Sequence, residues 1–308
     1  MKLSIIICTF NRHLLLEKCL FSIISQNLDG VEVLVIDNNS TDQTKEIIQI
    51  YNKSNNNIKY YFESKIGLSN ARNLGYQNAK ADWILYLDDD AIAYPNMVSR
   101  ALYLINLGIF DCVGGMYYGY FDKPKPKWID ENYGTKDKFS NELSECPFYI
   151  PHGGIVIYRK SILERNNGFN SNFGMKANNL GFGEETELQK RISNNGGIIM
   201  FDPDLKVSHL VKSERLSIYS LLQRQYIFGK NRILRYDINM IFLAFSLFKS
   251  IFYGFIKFPL LLIYSIFENN YYWQNAVLVV FEPIIFNIGR LRYKLYTLWI
   301  NKKNIFSN

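Results

Sequence analysis

Apolar and polar positions follow two rhythms along this chain. Over the first hundred residues, short apolar runs alternate with stretches of helical spacing. Run 3–8 is rich in isoleucine and is followed directly by Thr9-Phe10-Asn11-Arg12, the pattern of a buried parallel strand that ends in a polar loop. Leu16, Leu20, Ile23 and Ile24 then recur at helical spacing. Runs 31–36, 58–62 and 83–87 predict three more strands, and 68–79 a helix. Asp37-Asn38-Asn39-Ser40-Thr41-Asp42 follows the second strand, with Ser40 or Thr41 available to cap the next helix. Pro95 suits the opening of another helix. Beyond about residue 110 the rhythm changes. Segments 113–120 and 148–158 predict strands around a loop containing Lys123-Pro124-Lys125-Pro126-Lys127, and 198–201 and 205–208 predict short strands. Segment 184–192 predicts an amphipathic helix, and 216–234 a helix basic on its polar face through Arg224, Lys230, Arg232 and Arg235. From 238 to 267 the chain is almost unbroken Ile, Leu, Phe and Tyr, interrupted by Lys249 and Lys257.

Strands alternating with helices predict an α/β fold with a mostly parallel sheet covered on both faces. Ligands collect at the carboxyl ends of such strands. The tips of strands one, two and four carry the polar clusters 9–12, 37–42 and 88–90, and are expected to line one crevice.

A length of 308 residues allows one large domain with an appendage, or two domains. With 48% hydrophobic and 20% charged residues, a wholly disordered chain is excluded. The net charge of +7 suits phosphate-bearing ligands or an anionic membrane surface, and chooses neither. The four Cys are scattered without a CxxC pair, which argues against structural zinc and a disulfide framework. Cys8, inside an apolar run, reads as a buried reduced thiol of a cytosolic protein. The N-terminus enters a strand with one Lys and no cleavage site, so no secretory signal is expected.

Asp88-Asp89-Asp90 is the sharpest chemical feature. Adjacent carboxylates at the end of an apolar strand repel one another, and a hard divalent cation removes that cost while leaving positions for substrate phosphates. The alternative is a solvated acidic turn that caps the next helix. Asp37-Asn38 can hydrogen-bond the edge of a nucleobase, or form an Asx turn. Arg72, in the first turns of a helix after Gly67-Leu68-Ser69, can bridge nucleotide phosphates, or form a surface salt bridge. In Glu184-Glu185 one carboxylate would be raised by its neighbour and could act as a general base; equally, acids are common at a helix N-terminus. His209 is either a ligand or a packed histidine, and with only 3 His a site of histidines alone is excluded.

Taken in order, 3–12, Val35-Ile36-Asp37-Asn38-Asn39-Ser40-Thr41-Asp42, Gly67-Leu68-Ser69-Asn70-Ala71-Arg72-Asn73-Leu74-Gly75, Leu87-Asp88-Asp89-Asp90 and Gly183-Glu184-Glu185-Thr186-Glu187-Leu188 resemble the family 2 glycosyltransferases of GT-A fold, over about residues 1–235. The resemblance implies an inverting transferase that uses a nucleotide-sugar, usually a uridine one. It implies donor-binding roles for Thr9, Asn11, Arg12, Asp37, Asn38, Arg72, Asp88 and Asp89. It implies a divalent cation, Mn²⁺ or Mg²⁺, on Asp88 and Asp90, with His209 as a further ligand. Glu185 falls at the second acid of the family's Glu-Asp pair, the catalytic base, with Glu in place of Asp; Glu184 is the alternative base. His152-Gly153-Gly154 resembles the acceptor side of the pocket.

Segment 236–308 is expected to be a hydrophobic helical extension that associates with membrane. The stretch 240–267 exceeds the roughly 20 residues needed to cross a bilayer. Lys249 and Lys257 argue against a clean span, since a charge near the centre costs on the order of 2.5–3.5 kcal/mol. A pair lying in the interface fits as well, with Arg290, Arg292, Lys294, Lys302 and Lys303 favouring anionic lipid. A buried packing helix or a dimer face is the third option. The acceptor is then a glycan or lipid-linked hydroxyl, at the cytoplasmic face of the cell membrane, in surface polysaccharide synthesis; no nucleic acid partner is expected. Two other functions remain: a non-catalytic nucleotide-sugar-binding membrane scaffold, and a nucleotidyltransferase, which would want a Gly-rich basic loop after the first strand.

Overall fold

The four early apolar runs become the parallel half of one sheet. In the computed structural model, which describes residues 1–136, 138–146, 154–175, 183–235 and 238–305, these are β1 (Leu3–Thr9), β2 (Val31–Asp37), β3 (Ile58–Phe62) and β4 (Trp83–Asp88), with helices α1 (His13–Ile24), α2 (Thr44–Ser54) and α3 (Leu68–Asn78) between them. β1 pairs in parallel with both β2 and β4, and β2 with β3. The chain continues through β5 (Ala91–Ala93), α4 (Met97–Leu107), β6 (Cys112–Phe121), β7 (Ser144–Glu145), β8 (Ile155–Arg159), α5 (Lys160–Arg165), α6 (Glu184–Asn194) and β9 (Ile199–Val211). The strand order is β3-β2-β1-β4-β8-β6-β9-β5, with β7 on β9. From β8 onward the pairing turns antiparallel, so the parallel character is concentrated in the first four strands.

The runs read as continuous rather than alternating because both faces are covered. Ile5, Ile7, Val33, Val35 and Leu85 pack with Leu16, Leu20 and Ile23 of α1 and Met97 and Val98 of α4. Ile6, Leu34, Ile36 and Ile84 pack with Ala71 and Tyr76 of α3 and Leu188 and Ile192 of α6. Gly75 lets α3 sit against the sheet: a Cβ there would lie 2.6 Å from Ile6 Cγ2.

Three local expectations change. β9 is one strand rather than two. Its polar interruption is absorbed inside the sheet, because the fully buried Asp202 accepts Nε and Nη2 of Arg100 at 2.9 and 2.7 Å. Pro95 precedes α4 instead of opening it: Asn96 is the N-cap residue, and the short β5 comes first. The end of α2 is held by neither Ser40 nor Thr41. Asp42 accepts the Thr44 amide at 3.1 Å, while Ser40 Oγ takes the Asn11 amide instead.

The chain divides into two compact units, Met1–Tyr120 with Gly134–Leu210, and Phe121–Tyr133 with Val211–Asn308. The second unit contains α7 (Ile218–Arg235), α8 (Met240–Phe267) and α9 (Trp273–Ile305). Its small core joins Ile129, Leu216 and Leu221 to Trp128, Tyr133 and Leu278. The Asn275 amide donates to the Trp128 carbonyl at 2.8 Å. Gly229 of α7 and Gly289 of α9 each lie where a Cβ would meet the other helix's backbone. On α8, Leu243 and Gly254 are buried, whereas Phe245, Phe248, Phe252, Phe255 and Phe267 are exposed.

Candidate active site

The register of the parallel strands brings the polar clusters together: Thr9 lies beside Asp37, and Cys8 beside Asp88. Local hydrogen bonds then fix the loops. Asp37 accepts from the Tyr60 hydroxyl at 2.9 Å and from the Ser40 amide at 2.8 Å. The Asn38 side chain accepts from the Gly67 amide at 2.7 Å and donates to the carbonyls of Glu63 and Lys65. Asn11 adopts φ 53°, and its side-chain oxygen accepts from the Thr41 amide at 2.7 Å. Asp37, Asn38 and Asn11 therefore spend side-chain hydrogen bonds on shaping the crevice floor.

The three aspartates divide into two roles. Asp89 turns toward β1 and α1: it accepts from the Thr9 hydroxyl at 2.8 Å and from Arg12 Nη1 at 2.8 Å. Burial, with the nearby Asp90 charge, pushes its carboxyl up to about 6 against the pull of Arg12. Asp88 and Asp90 instead flank His209, whose Nε2 is 3.3 Å from one and 3.2 Å from the other. Burial alone would raise Asp88, but the His209 hydrogen bond and the charges of Arg72 and Arg12 hold it at about 2. Burial alone would lower His209, yet the Asp88 hydrogen bond and the Asp90 charge push it up to about 9. Two carboxylates here draw a positive charge between them. One donor atom from each of Asp88, Asp90 and His209 lies within 4.8 Å of the others. Oxygen donors with one imidazole suit a hard or borderline divalent cation, so the residues fit such a metal.

Arg72, expected on the nucleotide side, is 3% exposed and faces the acid pair. Its Nη1 lies 2.9 Å from Glu184 and 2.6 Å from Glu185, and its Nη2 is 3.5 Å from Asp88. Burial disfavours its charge, but Glu185, Glu184 and Asp88 outweigh that and keep it cationic. Glu184 and Glu185 open α6 behind Gly183, which takes φ 101°. Burial, then the charge of Glu185, push Glu184 up to about 8 despite Arg72. Cys8, nearby, is pushed up to about 12 by burial and stays an inert thiol; all four cysteines are free.

Gly154 adopts φ 111°, and a Cβ on it would touch both Tyr117 and His209. His152 and Gly153, and the start of the strand expected over 148–158, lie outside the described residues. Sequence reasoning missed the aromatic frame. The Arg72 guanidinium lies over Tyr86 at 5.8 Å and Phe169 at 5.3 Å, and Tyr117 lies 5.7 Å from His209. Tyr86 was detectable as a polar-tipped ring inside an apolar strand, since such a ring needs a partner: its hydroxyl donates to the Arg72 carbonyl at 2.9 Å.

Residues 4–166 match the sequence model of glycosyl transferase family 2. A stretch of 186 residues is 31% identical to a Campylobacter jejuni GalNAc(5)-diNAcBac-PP-undecaprenol β-1,3-glucosyltransferase, over 56% of each chain. Another, of 119 residues, is 29% identical to glycosyltransferase GlyG of Streptococcus pneumoniae, over 38% of this chain and 40% of that one. At its first matches the chain spans just over half the length of the curated relatives. Among solved structures, the mannosyltransferase PcManGT of Pyrobaculum calidifontis, in complex with GDP-Man and Mn²⁺, superimposes with TM-score 0.57 at 18% identity, over 77% of this chain and 65% of that one. TarS of S. aureus with UDP-GlcNAc gives TM-score 0.57 at 20% identity, over 78% and 68%. These structural likenesses show the fold.

Proposed function

The chain belongs to glycosyl transferase family 2, and from that premise we propose that it is an inverting, metal-dependent enzyme moving a sugar from a nucleoside-diphosphate donor to a hydroxyl of a glycan or lipid-linked acceptor. One observation carries the reading: a single guanidinium, Arg72, touches Glu184, Glu185 and Asp88, so a candidate base and a candidate metal site share one buried cation. Asp88, Asp90 and His209 would hold the divalent cation, which when bound offsets charge building on the leaving diphosphate. Glu185 takes the proton of the acceptor hydroxyl, and the oxygen attacks the anomeric carbon opposite the diphosphate, inverting it. Thr9, Asn11, Arg12, Asp37, Asn38 and Asp89 shape the donor side; Arg72 holds the acid pair in place. The PcManGT and TarS complexes, with GDP-Man and UDP-GlcNAc, support a nucleotide-sugar donor.

We assign transfer to residues 1–235 and membrane association to 236–308, at the cytoplasmic face. Met240–Phe267 is long and apolar enough to cross a bilayer, and 6% of its most apolar window is buried. The Campylobacter relative is named for a lipid-diphosphate acceptor, which supports a lipid-linked acceptor here. The test is release of nucleoside diphosphate by the purified full chain from a panel of nucleotide-sugars with Mn²⁺. Glu185→Gln is expected to lower turnover by roughly 10²- to 10⁴-fold with donor affinity nearly intact. Unchanged turnover in Glu185→Gln, with loss in Glu184→Gln, moves the base by one residue. In fractionation, the full chain is expected to stay with membranes in 1 M salt, which screens charge but leaves inserted apolar groups.

A further inference from the structure

Charge in this protein is segregated. Residues 211–308 carry 13 Lys and Arg against 4 Asp and Glu, a net +9, while the rest of the chain carries 22 against 24. Two of those lysines, Lys249 and Lys257, sit in the middle of α8 among exposed Phe and Ile side chains. They are eight residues apart, about 12 Å along the helix axis. Tyr253 lies between them, and the two ammonium groups stand 5.7 and 5.9 Å from the centre of its ring. α8 contains no Asp or Glu. Neither of these two forms an ion pair with a described residue, unlike Lys59, Lys206 and Lys212.

The two lysines and Tyr253 line a groove of about 220 Å³ between α8 and α9, with Ser250, Gly254 and Val280. That is several times the roughly 30 Å³ of a water molecule. Gly254 lets the helices close on one side, since a Cβ there would lie 2.9 Å from Val280 Cγ1. Ser250 keeps polar atoms in the wall: its hydroxyl donates to the Ser246 carbonyl and accepts from Asn287, both at 2.9 Å. The groove thus has paired cations and a hydroxyl on one side and aliphatic carbon on the other, and it opens on a helix whose large apolar side chains are exposed.

We propose that this groove binds the phosphate of an anionic membrane lipid, between Lys249 and Lys257, with the lipid's acyl chains along the exposed aromatic side chains of α8. Charge complementarity selects the phosphate: two cations, with no counter-charge paired to them among the described residues, face one opening. The surrounding exposed Phe and Ile select a lipid over a soluble anion. The proposal rests on the membrane association argued above, and it requires α8 to lie at the depth of the lipid phosphates rather than carry both lysines through the hydrocarbon.

The test uses the full chain in neutral detergent, titrated with phosphatidylglycerol and followed by native mass spectrometry. One lipid per chain is expected. Lys249→Gln with Lys257→Gln is expected to weaken retention at least tenfold. Lys249→Arg with Lys257→Arg should keep it, and Lys212→Gln with Arg215→Gln, which removes equal charge elsewhere in the unit, should leave it within twofold. Equal loss in the last pair, or no loss in the first, overturns the site in favour of diffuse charge. Displacement of the lipid by submillimolar inorganic phosphate overturns it in favour of a small-anion site. If Lys249→Gln with Lys257→Gln does not fold, the arginine pair decides: loss of the lipid there, with nucleotide-sugar turnover intact, overturns the site. Vesicle flotation separates the two readings. If the wild type fails to float, the membrane reading falls; if it floats while the glutamine pair retains lipid unchanged, only the groove falls.

Discussion

The two units handle charge in opposite ways. In the sheet unit, the charged side chains of the site are inside and paired. Arg72 is 3% exposed between two glutamates, and Arg12 is anchored on Asp89 and Asp90. In the helical unit the charges are in excess, and the two lysines of α8 stand at the surface without acids. The difference separates two uses of electrostatics. Buried, paired charges hold geometry, because each is fixed by its neighbour and unpairing is costly. Exposed, unpaired charges make a field, which attracts an anionic surface and falls off with salt.

The largest expected effect breaks one region and spares the other. Asp90→Asn removes one of the two carboxylates that flank His209. Transfer is expected to fall by about 10²- to 10³-fold, the scale of losing a transition-state charge stabiliser, while vesicle flotation of the same variant is unchanged. Wild-type turnover in excess chelator would sink the metal assignment. A joint loss of transfer and flotation would mean the two uses of charge are not separable.

The next effect is on stability. Arg72→Met leaves the buried acids of this cluster without their shared cation, and is expected to cost about 3–5 kcal/mol in urea unfolding. Arg224→Met is the matching change in the helical unit. There the guanidinium is exposed, donates to the Tyr133 hydroxyl at 2.9 Å and lies over the Phe228 ring at 5.4 Å. Less than about 1 kcal/mol is expected for it. Similar costs for both would erase the contrast between paired and surface charge.

The parallel half of the fold was legible because its strands are buried on both faces, so apolar run length alone marks them: β3 matches its predicted bounds, and β4 extends one residue further. The site was legible where chemistry concentrates in adjacent residues, as in Asp88-Asp89-Asp90 and Glu184-Glu185. What sequence could not give was partner choice. Asp89 and Asp90 are neighbours in the turn between β4 and β5, yet Asp89 meets Thr9 and Arg12, whereas Asp90 meets His209 as well as Arg12. Arg72 is separated from Glu184 by 112 positions, and only the fold shows that the arginine meets the acid pair. β9 runs unbroken through Asp202-Pro203-Asp204, and the Arg100 fork that pairs with the buried Asp202 is 102 positions away in sequence.

A third effect, which accumulates only gradually with pH, concerns the proton on the acid pair. Glu184 is 4% exposed, and its folded value of about 8 stands above the ordinary 4.5. Between those values the folded chain keeps a proton that the unfolded chain releases. Stability from this group is therefore lost as pH rises, over the window from about 4.5 to about 8, with a slope approaching about 1.4 kcal/mol per pH unit. Glu184→Gln cannot release that proton, so it removes the slope. Relative to wild type, the variant should gain stability steadily from pH 5 to pH 8, read as urea midpoints of the metal-free protein. The sign matters, because a carboxylate stabilised in its charged form would give the reverse trend. Parallel midpoints across that range would show that Glu184 ionises normally and that burial does not hold a proton there. A divergence in the expected direction sharpens the contrast: inside the sheet unit, burial holds a proton on Glu184 at neutral pH even beside the Arg72 guanidinium.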